Sequence, residues 1–95
     1  MNSYDMNTIW QISTKVLSSK IDEEVILMSF EADSYFGIDP VGSRIWELLS
    51  EKPASINELV VILVDEYEVD EETCSKQVQI FIDEMYTKKL IIKGD

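Results

Sequence analysis

From Val25 to Phe30 the chain reads Val-Ile-Leu-Met-Ser-Phe, and after Glu31-Ala32-Asp33 it reads Ser-Tyr-Phe-Gly-Ile from Ser34 to Ile38. Two short apolar runs across three turn residues predict an antiparallel hairpin. The first run is almost unbroken, which predicts a strand covered on both faces. In the second, strand alternation sends Tyr35 and Phe36 to opposite faces. Ile9-Trp10-Gln11-Ile12-Ser13 alternates weakly and predicts another strand. Ser18-Ser19-Lys20 and Asp22-Glu23-Glu24 read as turn or loop.

After Ile38 the period changes to that of helices. Asp39 is placed to cap a first helix, with Pro40 at its opening position, where a missing N–H costs nothing. Val41, Ile45, Leu48 and Leu49 form its apolar stripe, beside Trp46. Lys52-Pro53-Ala54 ends it. Ser55-Ile56-Asn57-Glu58 matches a capping box, and Ile56, Leu59, Val60, Leu63, Val64 and Tyr67 recur at helical spacing. Asp70 opens a third helix whose first turn, Glu71-Glu72, suits the positive end of the helix dipole. Cys74, Val78, Phe81, Ile82 and Met85 line one side of it; Leu90-Ile91-Ile92 returns as a short strand or seals the core. The predicted fold is α+β, an N-terminal three-stranded antiparallel sheet packed on three helices. Residues 1 to 8 are polar and are expected to fray, leaving 9 to 95 as one domain.

Composition limits what such a domain can do. The chain has 95 residues, 19 acidic against 8 basic, and a net charge of −11. That field repels phosphate backbones and anionic lipid. The order of elements resembles a winged helix-turn-helix, yet the helix from Asp70 to Lys89 carries Asp70-Glu71-Glu72 and Asp83-Glu84 where a nucleic-acid reader needs cations. Nucleic acid is therefore excluded as an expected partner. No apolar run reaches the roughly 20 residues of a membrane span. A lone cysteine and a start without a secretory pattern fit a cytoplasmic setting.

Catalytic chemistry is equally thin. With no histidine, the commonest acid–base catalyst and metal ligand is missing. Asp65 to Asp70 lacks the central glycine of a calcium loop. Cys74 falls on an apolar stripe, as a core thiol does. Asp33-Ser34 echoes the attachment dipeptide of acyl carriers, but a strand-like run follows it instead of a helix. No enzyme, no cofactor and no metal are expected; the reading that remains is a binding module.

The run Ser34-Tyr35-Phe36-Gly37-Ile38-Asp39-Pro40-Val41-Gly42, followed by Ile45-Trp46 and the helices to Leu90, resembles the PqqD-like peptide recognition elements of ribosomally made, modified peptides. The likeness runs from about Ile12 to Ile92. Within that family it is most similar to the free-standing B1 proteins of lasso-peptide pathways. It departs in having Asp39 where Asn is common, and in a longer polar start. The resemblance implies a non-catalytic protein that takes the leader segment of a precursor peptide as an added strand. It further implies delivery of that peptide to a separate leader peptidase and cyclase. The added strand would pair with Ser34, Tyr35, Phe36, Gly37 and Ile38, facing Gln77, Ile80, Phe81 and Glu84 across a groove. Ile80 lies off the apolar stripe and is expected to be partly exposed. Tyr35, Phe36 and Phe81 suit pocket walls; Trp46 and Phe30 are expected in the core. An exposed strand edge is also able to pair with a second copy, giving a homodimer. The reading from another class is a winged-helix regulator acting through protein contacts.

Overall fold

A computed structural model describes residues 4–22, 24–31 and 33–94. Its strands are β1 (Ile9–Ile12), β2 (Val16–Ile21), β3 (Glu24–Ser29), β4 (Ser34–Ile38), β5 (Ala54–Ser55) and β6 (Ile91–Lys93). Its helices are α1 (Pro40–Glu51), α2 (Ile56–Tyr67) and α3 (Glu71–Thr87). The fold is α+β, as the sequence predicts, with all three helices starting where their caps lie.

Each cap is made by the expected side chain. Asp39 Oδ1 accepts the Gly42 N–H at 2.7 Å, with Pro40 at the first helical position. Ser55 and Glu58 form the reciprocal box, at 3.1 Å and 2.9 Å. Asp70 accepts the Thr73 N–H at 2.9 Å, and these hydrogen bonds hold its carboxyl below the usual range.

The strands sort differently from the prediction. There are two three-stranded antiparallel sheets, ordered β2-β3-β4 and β5-β1-β6. The hairpin is β3–β4, as predicted; of its turn residues Glu31-Ala32-Asp33, Ala32 lies outside the described residues. Its third strand is β2, where Ser18-Ser19-Lys20 read as loop. Five of the six β2 residues are exposed, so an edge strand with a polar middle left no apolar period to detect. The Ile9–Ser13 run does form a strand, but β1 belongs to the second sheet, between Ala54–Ser55 and the returning Ile91–Lys93.

Two further expectations need correction. The Val25–Phe30 run is covered on one face only: Val25, Leu27 and Ser29 are buried, while Ile26 and Met28 are half-buried. Phe30, expected in the core, is 55% exposed, because it continues the outer row of Ile26 and Met28. Val41, expected on the α1 stripe, is also exposed.

The core joins both sheets to the helices. Trp10, Leu27, Ile45, Trp46, Ile56, Leu59, Val78, Ile82 and Leu90 are all essentially inaccessible. Trp46 holds the structural position expected of it. Cys74 is buried there too, and burial pushes its thiol pKa up, which makes it a poorer nucleophile. Tyr4 packs edge-on against Trp10 and Tyr86, and its hydroxyl donates to Asp83. From Tyr4 onward the polar start is therefore docked; residues 1–3 lie outside the described residues. Burial and the Asp83 carboxylate push the Tyr4 hydroxyl pKa up to about 12.

Arg44 and Glu66 tie α1 to the end of α2 through paired contacts of 2.9 Å and 2.6 Å. The same pairing holds the Glu66 carboxyl below the usual range. Both ends of that bridge are partly exposed, so it orients the helices more than it stabilises them.

Candidate functional site

Three observations fix which backbone groups of β4 face outward. Ile21 and Glu24, paired in register, are the closing pair of the β2–β3 hairpin. Such a closing pair exchanges backbone hydrogen bonds, so the next residue, Val25, points its N–H and C=O toward β4. The Phe30 N–H bonds to the Lys15 carbonyl at 3.0 Å, which puts even-numbered positions of this strand toward β2. The Ser43 hydroxyl accepts from the Val25 N–H at 2.9 Å and donates to the Ile38 carbonyl at 3.2 Å. Val25 and Ile38 therefore face each other. By alternation Ser34, Phe36 and Ile38 turn their backbone groups to β3, and Tyr35 and Gly37 turn theirs to the open edge.

The two edges of this sheet differ in chemistry. On β2 the edge carries Ser18, Ser19 and Lys20, polar and charged residues that discourage pairing. On β4 the five residues Ser-Tyr-Phe-Gly-Ile hold no charge. Beside β4 runs a groove of about 670 Å³, walled on its far side by α3 and closed at one end by the first turn of α1.

All the site residues named from the sequence line this groove except Ser34: Tyr35, Phe36, Gly37 and Ile38 on one wall, Gln77, Ile80, Phe81 and Glu84 on the other. Ser34 begins β4 beyond the lining. Ile80 is 67% exposed, so an apolar side chain stands open on the α3 wall. Tyr35 is 73% exposed, whereas Phe36 is half-buried against the core, so the strand alternates as expected.

Sequence reasoning missed Asp39, Val41, Gly42, Ile45, Met85 and Lys88, which complete the lining. Lys88 was within reach, since 77, 81, 84 and 88 share one helical stripe. Gly42 was not. A β-carbon built on it would stand 2.4 Å from Ile38 Cγ2 and 2.8 Å from Phe81 Cε1, so only glycine lets those two side chains close the floor of the groove. The Lys88 ammonium lies over the Phe36 ring, 4.8 Å from its centroid, and 3.3 Å from Glu84 Oε1.

A second cleft of about 550 Å³ lies between α1 and α2, lined by Leu48, Ala54, Leu59, Val61 and Ile62. The strand that reaches it, β5, is two residues long, too short an edge to pair with an extended peptide. Among the described residues no group of three or more His, Cys, Asp or Glu is arranged to hold a metal, and no helix is long and apolar enough to cross a membrane.

An uncharged open edge facing a half-apolar helical wall is the arrangement that strand addition of an extended chain uses. Residues 24–91 match the family model of coenzyme PQQ synthesis protein D, and the chain belongs to this PqqD family. Among solved structures it is similar to TbiB1 in complex with the TbiA(beta) leader peptide, at 40% identity and a TM-score of 0.79. That match covers 85% of this chain and 93% of TbiB1. A lasso peptide synthetase B1 complexed with its leader peptide shares the fold at a TM-score of 0.73 and 13% identity, covering 87% of this chain and 96% of its own. No curated protein sequence matches the chain.

Proposed function

We propose that this protein binds the leader segment of a ribosomally made precursor peptide, of the lasso class, as an added strand on β4. The observation that carries the reading is the open, uncharged β4 edge facing α3 across the groove. The 40% identity to a protein solved with a leader peptide supports it. Backbone bonds to Tyr35 and Gly37 supply affinity that is independent of peptide sequence, and the walls formed by Phe36, Ile80 and Phe81 supply selectivity. Ile38, Gln77 and Glu84 complete the set of contacts, and Ser34 marks the end of the edge where the peptide leaves the groove.

The protein acts without catalysis. Its sequence has no histidine, and its one thiol is buried in the core. Its contribution is to hold the precursor for a separate leader peptidase and cyclase, raising the effective concentration of substrate at those enzymes. The setting is the cytoplasm, where the precursor is made. In this reading residues 9 to 95 form the recognition domain. An unoccupied β4 edge is available to a second copy, and peptide competes with that pairing.

The test is a calorimetric and NMR titration with the TbiA(beta) leader peptide. Micromolar or tighter binding with shifted Tyr35 and Gly37 amides is expected; binding that leaves the β4 amides unmoved would overturn the strand-addition reading. In parallel, no mobility shift of duplex DNA is expected at physiological salt, given the −11 charge. Tight DNA binding would favour a winged-helix regulator instead.

A further inference from the structure

We infer that Lys88 fills a cation subsite of the groove, made by the Phe36 ring and the Glu84 carboxylate, and that a basic side chain of the bound peptide takes its place. The inference rests on the leader-binding reading and names a residue class that the groove selects.

An aromatic face beside a carboxylate is a general receptor for an alkylammonium or guanidinium group. Here the receptor is occupied from within: the Lys88 ammonium sits 4.8 Å from the Phe36 centroid and 3.3 Å from Glu84. Its side chain is 38% exposed and that of Glu84 55%, so the contact is wet and exchangeable. Lys88 is also the C-cap of α3, where its four-carbon stem can swing outward without disturbing the helix.

Charge decides what replaces it. Lys88 is the one cation among the described lining residues, against Asp39 and Glu84. A peptide carboxylate placed over Phe36 would meet Glu84 at close range inside a field of net charge −11. An apolar side chain would displace the ammonium and leave Glu84 without a counter-charge. A Lys or Arg restores both contacts, and Arg stacks better on a ring. Because one cation replaces another, the subsite contributes selectivity more than affinity.

The test uses N-acetyl-arginine methylamide, with the norleucine and glutamate analogues as controls, followed through the Phe36 ring and Lys88 side-chain resonances. The arginine probe is expected to shift both and to bind more tightly than either control. Lys88→Ala should bind it about five-fold more tightly, the range of one exposed cation–π contact. Glu84→Gln should reduce it to the norleucine level. Equal binding of the glutamate probe, or weaker arginine binding by a folded Lys88→Ala protein, would overturn the subsite. The TbiA(beta) leader titrated alongside separates the two readings. Leader binding without an arginine response removes the subsite alone, and an arginine response without leader binding removes the leader reading alone.

Discussion

Phe81 lies across Gly42 so closely that a methyl group on the glycine would stand 2.8 Å from the ring. The helix that carries the groove's far wall thus meets the helix that closes its end through the Phe81 ring laid on bare glycine backbone. The same methyl would stand 2.4 Å from Ile38 Cγ2, so Gly42→Ala is expected to force both Ile38 and Phe81 away, costing about 1–3 kcal/mol of stability as overpacking does. Peptide affinity should fall with it. Urea unfolding and calorimetry read the two effects. Gly42→Ala combined with Phe81→Leu should recover part of both, and absence of recovery would show that the ring is not the obstacle.

Proline separates the two faces of β4. The Phe36 N–H belongs to the ladder with Leu27, so Phe36→Pro is expected to damage the sheet itself. Gly37 turns its N–H to the edge. Gly37→Pro should leave the circular dichroism spectrum intact while lowering leader affinity about ten-fold, a little over one hydrogen bond's net worth. Equal losses of fold in both variants would contradict the assigned alternation.

Ile80→Glu probes the helical wall. With 67% of the residue exposed, stability should change by less than about 0.5 kcal/mol. A carboxylate at the centre of the α3 wall should nonetheless weaken leader binding by about ten-fold, as loss of an apolar contact does. Unchanged calorimetric affinity in the folded variant would take this face of α3 out of the site.

Ser43 gives a prediction about stability alone. Its hydroxyl is the shared partner of the Val25 N–H and the Ile38 carbonyl, and the residue is 2% exposed. Ser43→Ala leaves two buried backbone groups unpaired and should cost about 1–3 kcal/mol. Urea midpoints measure it.

Acid should loosen the helices at known points. The folded carboxyls of Asp70 and Glu66 lie below their ordinary values of 3.8 and 4.5. A depressed folded pKa gives stability that is present above the ordinary value and lost as pH falls through the folded one. Thermal midpoints should therefore hold above about pH 5 and drop below pH 4. Asp70→Asn with Glu66→Gln should flatten that drop; an unchanged slope would place the acid-sensitive groups elsewhere.

The helices and the hairpin were legible because their signals are local. Asp39-Pro40, the Ser55–Glu58 box and Asp70 each act within one turn, and β3–β4 pairs across a short loop. Sheet membership was not legible. Whether Ile9–Ile12 joins the hairpin or meets Ile91–Lys93 depends on packing between distant residues, which no window around Ile9 contains. The site was readable for a mixed reason. Of the nine residues named on β4 and α3 from the family likeness and the helical spacing, eight line the groove and Ser34 does not. Gly42 escaped because its contribution is the absence of a side chain, a property visible only once Phe81 is beside it.

The pairing of Trp10 with Lys93 has a kinetic meaning. The β2-β3-β4 meander joins neighbours in sequence, whereas the second sheet must close a loop spanning nearly the whole chain, the slower event by contact order. α3 packs mainly on α2, and its run toward β6 also ties the far wall of the groove to this later-closing sheet. Pulsed hydrogen exchange during refolding should protect Leu27 before Gln11. The groove beside β4 therefore takes its final shape only once β6 has paired with β1.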